Sequence, residues 1–100
     1  MGRKDDDECE CREQSITIWD DGSYEHVSVH YNHSKLPDDG DKHKITVFIY
    51  TTAGVIAHTF SDVIFVPREN DKTLPIRGQS DRLREEFDKL HHWDASINCN

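Results

Sequence analysis

No apolar stretch in this chain approaches the ~20 residues needed to cross a bilayer as a helix, and no apolar segment follows Arg3-Lys4 as in an export signal. A soluble, intracellular protein is expected, placed in the cytoplasm. Cysteine is scarce: Cys9, Cys11 and Cys99 are odd in number and lie at the two ends, a poor framework for a disulfide-stapled secreted domain. Reduced thiols follow from that reading, and without export the triplet Asn32-His33-Ser34 has no glycan to accept. Ser-His-Asp spacing, a nucleophile elbow, a phosphate-binding glycine loop and a zinc-protease motif are all missing, as is any internal repeat. Pro37-Asp38-Asp39-Gly40-Asp41 does not match a calcium loop, because the glutamate required six residues past the glycine is Thr46.

The chain does hold concentrated acid. Met1 to Asp41 carry twelve acids against four bases, whereas Lys42 to Asn100 carry eight of each, so the net charge of −8 resides in the first 41 residues. Such a field repels phosphates and favours basic proteins or cations. Apolar residues make up only 34% of the 100, but they fall into runs, so one small core is expected, burying roughly 60–70% of the surface the unfolded chain exposes. Arg3 to Glu13 has no apolar residue except its cysteines. The expected organisation is an acidic flexible tail over 1–13, a single domain over 14–94 and a frayed end over 95–100.

Ser15 to Trp19 and Tyr24 to Tyr31 alternate at period two around Asp20-Asp21-Gly22-Ser23, which predicts a β-hairpin. A tight Asp21-Gly22 turn pairs Trp19 with Tyr24, Thr17 with His26 and Ile16 with Val27, gathering Ile16, Ile18, Val27 and Val29 on one face. A three-residue turn would set Tyr24 and His26 opposite Ile18 and Ile16 and mix both faces, so the apolar pattern favours the first register. Lys44 to Thr51 predicts a third strand, with Ile45, Val47 and Ile49 on one side and Phe48 and Tyr50 on the other. Val55 to Phe60 predicts a fourth. Val63 to Val66 is either a fifth strand or a bulged continuation of it, ended by Pro67.

Arg68 to Gly78 reads as a charged loop. Ser80 is an N-cap for a helix whose stripe is Leu83, Phe87, Leu90 and Trp93. The expected fold class is therefore α+β: an antiparallel meander of four or five strands, opened by a hairpin, with one C-terminal helix packed on one face. The helix would cover Ile16, Ile18, Val27, Val29, Ile45, Val47 and Ile49. Trp19, Tyr24, His26, Phe48 and Tyr50 would then stand on the uncovered face as an aromatic patch.

In a meander the tail's exit and the loop after the second strand share one end, gathering about nine acids there: Asp5, Asp6, Asp7, Glu8, Glu10, Glu13, Asp38, Asp39 and Asp41. Their field reaches about 8 Å in physiological salt. Protonation of all seven histidines would shift the formal charge from −8 to −1, so binding that depends on this field should weaken in mild acid. His26 and His30 are about 13 Å apart along one strand, too far to share an ion. Cys9, Cys11, His91, His92 and Cys99 lack the Cys-x-x-Cys knuckle and lie in segments expected to be loose, so neither metal nor cofactor is anticipated.

The function expected from these features is a small acidic protein-binding module, an inhibitor or modulator without enzymatic activity or catalytic residues. Its partner would be a basic protein or nucleoprotein complex, and it would bind neither nucleic acid directly nor membrane. The contact residues would be Asp5, Asp6, Asp7, Glu8, Asp38, Asp39 and Asp41 with Trp19, Tyr24, His26, Phe48 and Tyr50. Phage anti-defence proteins, anti-CRISPR inhibitors among them, and toxin-immunity proteins share that physical mode, an analogy of size and charge alone. The alternatives are a homodimer or larger homo-oligomer joined through the aromatic face, and a metal-independent ribonuclease-like enzyme using His58 or His26 with Glu25, Arg77 or Arg82.

Overall fold

A computed structural model describes residues 9–33, 40–67 and 69–99, with only the backbone of Gly40 and Asp41. The strands are β1 (Cys9–Ile18), β2 (Ser23–Asn32), β3 (Gly40–Thr51), β4 (Ile56–Pro67), β5 (Asp71–Gln79) and β6 (Leu90–Cys99). A short helix α1 (Asp81–Glu85) and a 3-10 turn (Phe87–Lys89) separate the last two. The strands form two antiparallel three-stranded sheets, ordered β1-β2-β5 and β4-β3-β6. Side chains from both sheets build one core. The molecule is thus an all-β sandwich, and the α+β expectation is corrected.

Both tight hairpins use the same turn chemistry. In the first, the Trp19 amide donates to the Ser23 carbonyl at 2.9 Å and the Gly22 amide to the Trp19 carbonyl at 3.0 Å. Thr51, Gly54 and Val55 repeat the arrangement in the β3–β4 hairpin, and Gly22 and Gly54 both have positive φ (89° and 79°). This is the three-residue loop closed by a glycine bulge. It sets Ile18 opposite Tyr24 and Ile16 opposite His26, the register that the apolar pattern disfavoured. At Gly22 a Cβ would also collide with the Ser80 carbonyl, whose own amide donates to the Gly22 carbonyl at 3.0 Å.

The register change turns β2 over. Directly opposed residues share a sheet face, so Tyr24, His26, Ser28, His30 and Asn32 all point into the sandwich and are buried. Val27 and Val29 are half-buried on the outer face, opposite Pro75 and Thr73 of β5. From the other sheet, His43, Ile45, Val47, Ile49 and Thr51 face the same interior. The polar half of β2 can be buried because its side chains find hydrogen-bond partners.

β5 occupies most of the expected loop; Leu74 and Ile76 are buried and Pro75 is tolerated because β5 is an edge strand. β4 runs without interruption through Ser61-Asp62, so there is no separate strand over Val63 to Val66. Ser80 does cap a helix, accepting a hydrogen bond from the Leu83 amide at 3.3 Å, and Leu83 is fully buried. That helix ends at Glu85, however. Leu90 and Trp93 belong to β6, where Trp93, Ala95, Ile97 and Cys99 alternate inward.

Strand structure also covers part of the expected tail and frayed end. Residues Cys9 to Glu13 pair with β2, and Ala95 to Cys99 pair with β3. The β1–β2 register shifts between Cys11 and Glu13, leaving Arg12 as an extra residue. Without this bulge Cys9 and Cys11 would share the outer face with Glu13. With it they turn inward, and Cys9 forms a disulfide with Cys99 across 90 residues, Cα to Cα 6.1 Å. Reduced thiols were expected; the disulfide overturns that for Cys9 and Cys99, while Cys11 is free.

Candidate functional site

The interior divides along its length. At the hairpin end Tyr24 stacks on Phe60, ring centroids 4.6 Å apart, among Ile49, Ala57, Ile76 and Leu83. The other end is polar. His26 Nε2 lies 3.0 Å from Gln14 Oε1, and the His26 ring meets Trp93 edge-on. Ser28 Oγ is 2.8 Å from His30 Nε2, and His30 Nδ1 is 3.3 Å from His43 Nδ1, so a line of polar atoms crosses from one sheet to the other. Asn32 Nδ2 donates to the Val66 carbonyl at 3.1 Å, which takes the Asn32-His33-Ser34 asparagine out of solvent.

His26, His30 and His43 are 0% exposed. Burial pushes all three imidazoles below their ordinary value; His30, with the charge of His43 as second cause, is pushed down to about 4. Burial lowers His58 as well, and its Nε2 is 3.2 Å from the Tyr24 hydroxyl. Among the described residues His26 Nδ1 and His43 Nε2 have no hydrogen-bond partner. The sequence carried a signal for this cluster: His26, Ser28, His30 and Asn32 alternate in step, and His43 has the parity of Ile45, Val47 and Ile49.

A second feature is the rim of the sheet β4-β3-β6. Sheet edges expose unpaired backbone groups and are usually guarded by charge, proline or bulges. β1 has its bulge with Glu10, Arg12 and Glu13; β5 has Pro75, Asp71, Lys72 and Arg77; β6 has Asp94 and is tied to β1 by the disulfide. β4 has a bulge at Ala57, Asp62 as its one charged residue in twelve and Pro67 at its end, which leaves Val63 to Val66 as a run with none of these guards. It also exposes Ile56, Val63 and Phe65, the last two at 47% and 46%, beside Val55 in the adjoining turn. Val63 and Phe65 stand on the outer face opposite Lys44 and Lys42.

The expected contact residues that the structure describes do not form one surface. Asp5, Asp6, Asp7, Glu8, Asp38 and Asp39 lie outside the described residues, and Asp41 is placed by its backbone alone, opposite Val66. The residues bordering the acidic segments, Cys9, His33 and Gly40, share the disulfide end of the sandwich. Tyr24 and His26 are interior, Trp19 is exposed in the first turn, and Phe48 and Tyr50 are half-buried on the outer face of the other sheet. Tyr50 stacks on His92, centroids 4.6 Å apart. The aromatic patch is therefore not formed; the exposed apolar run Val63 to Val66 on the edge of β4 was the surface the sequence pattern did not mark.

The ribonuclease-like set is scattered too. His26 and His58 face the interior, whereas Glu25 and Arg77 form an ion pair at 2.7 Å on the outer face of the first sheet, and Arg82 pairs with Glu86. His91 and His92 open β6, away from the cysteine end, with an apolar pocket of about 140 Å³ lined by Ile18, Ile49, Leu90 and Trp93 beside them. Among the described residues no group of three or more His, Cys, Asp or Glu side chains is arranged to hold a metal. None of the helices is long and apolar enough to cross a membrane among the described residues. Comparison with known protein families, curated proteins and solved structures finds no match for this chain.

Proposed function

We propose that this chain is a protein-binding module, an inhibitor or modulator rather than an enzyme, which anchors its partner by adding a strand to the edge of β4 that no strand among the described residues pairs with. The observation that carries this is the run Val63 to Val66 on the β4 edge, which holds no charge, proline or bulge and exposes Val63 and Phe65. Backbone hydrogen bonds would supply affinity and the apolar side chains specificity, while the acidic N-terminal half steers a basic partner toward the site. A second copy of the chain could use the same edge, which replaces the aromatic face in the homo-oligomer reading. The Cys9–Cys99 bond favours an oxidising compartment over the cytoplasm.

The test is capture of partners from the native source by tagged parent and by Val63→Glu/Phe65→Glu, each at low and high salt. Partners recovered by the parent should be lost from the double variant at either salt, with its thermal stability within about 0.5 kcal/mol of the parent because both side chains are exposed. Equal recovery by the double variant would remove β4 as the anchor. Light scattering separates the self-pairing reading: a parent dimer that the double variant turns into a monomer supports it.

A further inference from the structure

The cysteine end of the sandwich brings together ligands that the sequence keeps far apart. Cys99 is the cross-strand partner of His43, Cys11 of His30 and Cys9 of Asn32, all on inward-facing positions. His30 and His43 reach across between the sheets with their Nδ1 atoms 3.3 Å apart. Two nitrogens bound to one tetrahedral zinc at about 2.0–2.1 Å would stand about 3.3–3.4 Å apart. Ser28 Oγ holds the far nitrogen of His30 at 2.8 Å, the kind of contact that orients a ligating imidazole. His43 Nε2 has no partner among the described residues although the residue is 0% exposed. Two thiols would complete a Cys2His2 set, but in the disulfide form Cys9 and Cys99 are bound to each other. Cys11 is turned toward the Glu13 carbonyl, 3.8 Å from its Sγ.

We propose that reduction of the Cys9–Cys99 disulfide opens a tetrahedral zinc site made of Cys9, Cys99, His30 and His43. A dithiol reductant delivers two electrons and two protons to the S–S bond and becomes a disulfide itself, leaving two thiols. Zinc then takes both as thiolates, releasing two protons, and binds the two neutral imidazoles; the ring holding the shared hydrogen moves it to its other nitrogen. Two thiolates against one divalent cation leave the site with no net charge, as a dry interior requires. The metal clamps the same two strands, β1 and β6, that the disulfide clamps. Oxidising conditions give the covalent clamp and reducing conditions with zinc give the coordinate one.

The experiment uses the full chain, oxidised or reduced with a phosphine, freed of metal and titrated with Co²⁺ and then Zn²⁺ alone. The reduced parent should take up one equivalent of cobalt with the visible spectrum of a tetrahedral ion and a thiolate charge-transfer band, and zinc should displace it. The oxidised chain and reduced Cys99→Ser should bind at least 100-fold more weakly. Reduced Cys11→Ser and His92→Ala should bind as the parent does. Since His43→Gln can fail to fold, zinc is also required to raise the melting temperature of the reduced parent and not that of reduced Cys99→Ser. No cobalt spectrum in the reduced parent, equal binding by the oxidised chain, or loss of binding in Cys11→Ser or His92→Ala would each overturn the assignment.

Discussion

The ring of Tyr24 lies over Gly78, its cross-strand partner on β5, where any Cβ would run into the tyrosine's hydroxyl and ring carbons. The missing side chain lets Tyr24 lie flat enough to stack on Phe60 and reach His58. Overpacking at such a site costs roughly 1–3 kcal/mol, so Gly78→Ala should lower the urea midpoint at unchanged slope. Tyr24→Leu should relieve part of that cost, making the double variant less destabilised than the sum of the two single ones. Strict additivity would show that ring and glycine are not coupled. None of this was legible in Arg68 to Gly78, where charged residues suggested a loop. The glycine's role depends on a strand partner, Tyr24, 54 residues away, beyond the reach of local pattern.

At the scale of elements, turn chemistry was more legible than register. Gly22 marked a hairpin turn and Ser80 a helix start, and the structure retains both. Register was not legible because the interior is not wholly apolar: His26, Ser28, His30 and Asn32 are buried with hydrogen-bond partners. The last element failed differently. Leu83, Phe87, Leu90 and Trp93 satisfy a helical period, yet Trp93, Ala95, Ile97 and Cys99 satisfy a strand period equally well, and pairing with β3 decides between them. β6 as a strand makes a prediction that a frayed end does not. Ile97→Lys, inward-facing, should destabilise by about 2–3 kcal/mol, and Asn98→Lys, outward-facing, by less than about 0.5 kcal/mol. Denaturant titration of the two variants checks it; equal tolerance would mean that this segment is not held in the sheet.

For the whole molecule, the division of the interior into an apolar end and a histidine end links stability to pH. The unfolded chain takes up a proton on His30 near its ordinary value of 6.5, while the folded chain withholds it until about 4. Between those values the unfolded state binds more protons, so stability is full above about pH 6.5, falls as the pH drops through this window, and levels off below about 4. By pH 5 the loss from His30 alone is about 2 kcal/mol, and His26, His43 and His58 act in the same direction because burial lowers each of them. The same burial withholds four of the seven histidines from neutralising the acidic field, so the charge gained by the folded chain in mild acid falls short of the seven units counted from composition. Burial lowers folded-state imidazole affinity, so mild acid should weaken the fold while discharging the surface by less than composition alone gives. Urea unfolding of the oxidised chain, with chelator present to exclude metal, should show a midpoint that drops between pH 7.5 and 5. That range lies above the ordinary carboxylate values and so isolates the imidazoles. A midpoint unchanged across it would mean that these histidines are hydrated in solution and that the two sheets do not close over them.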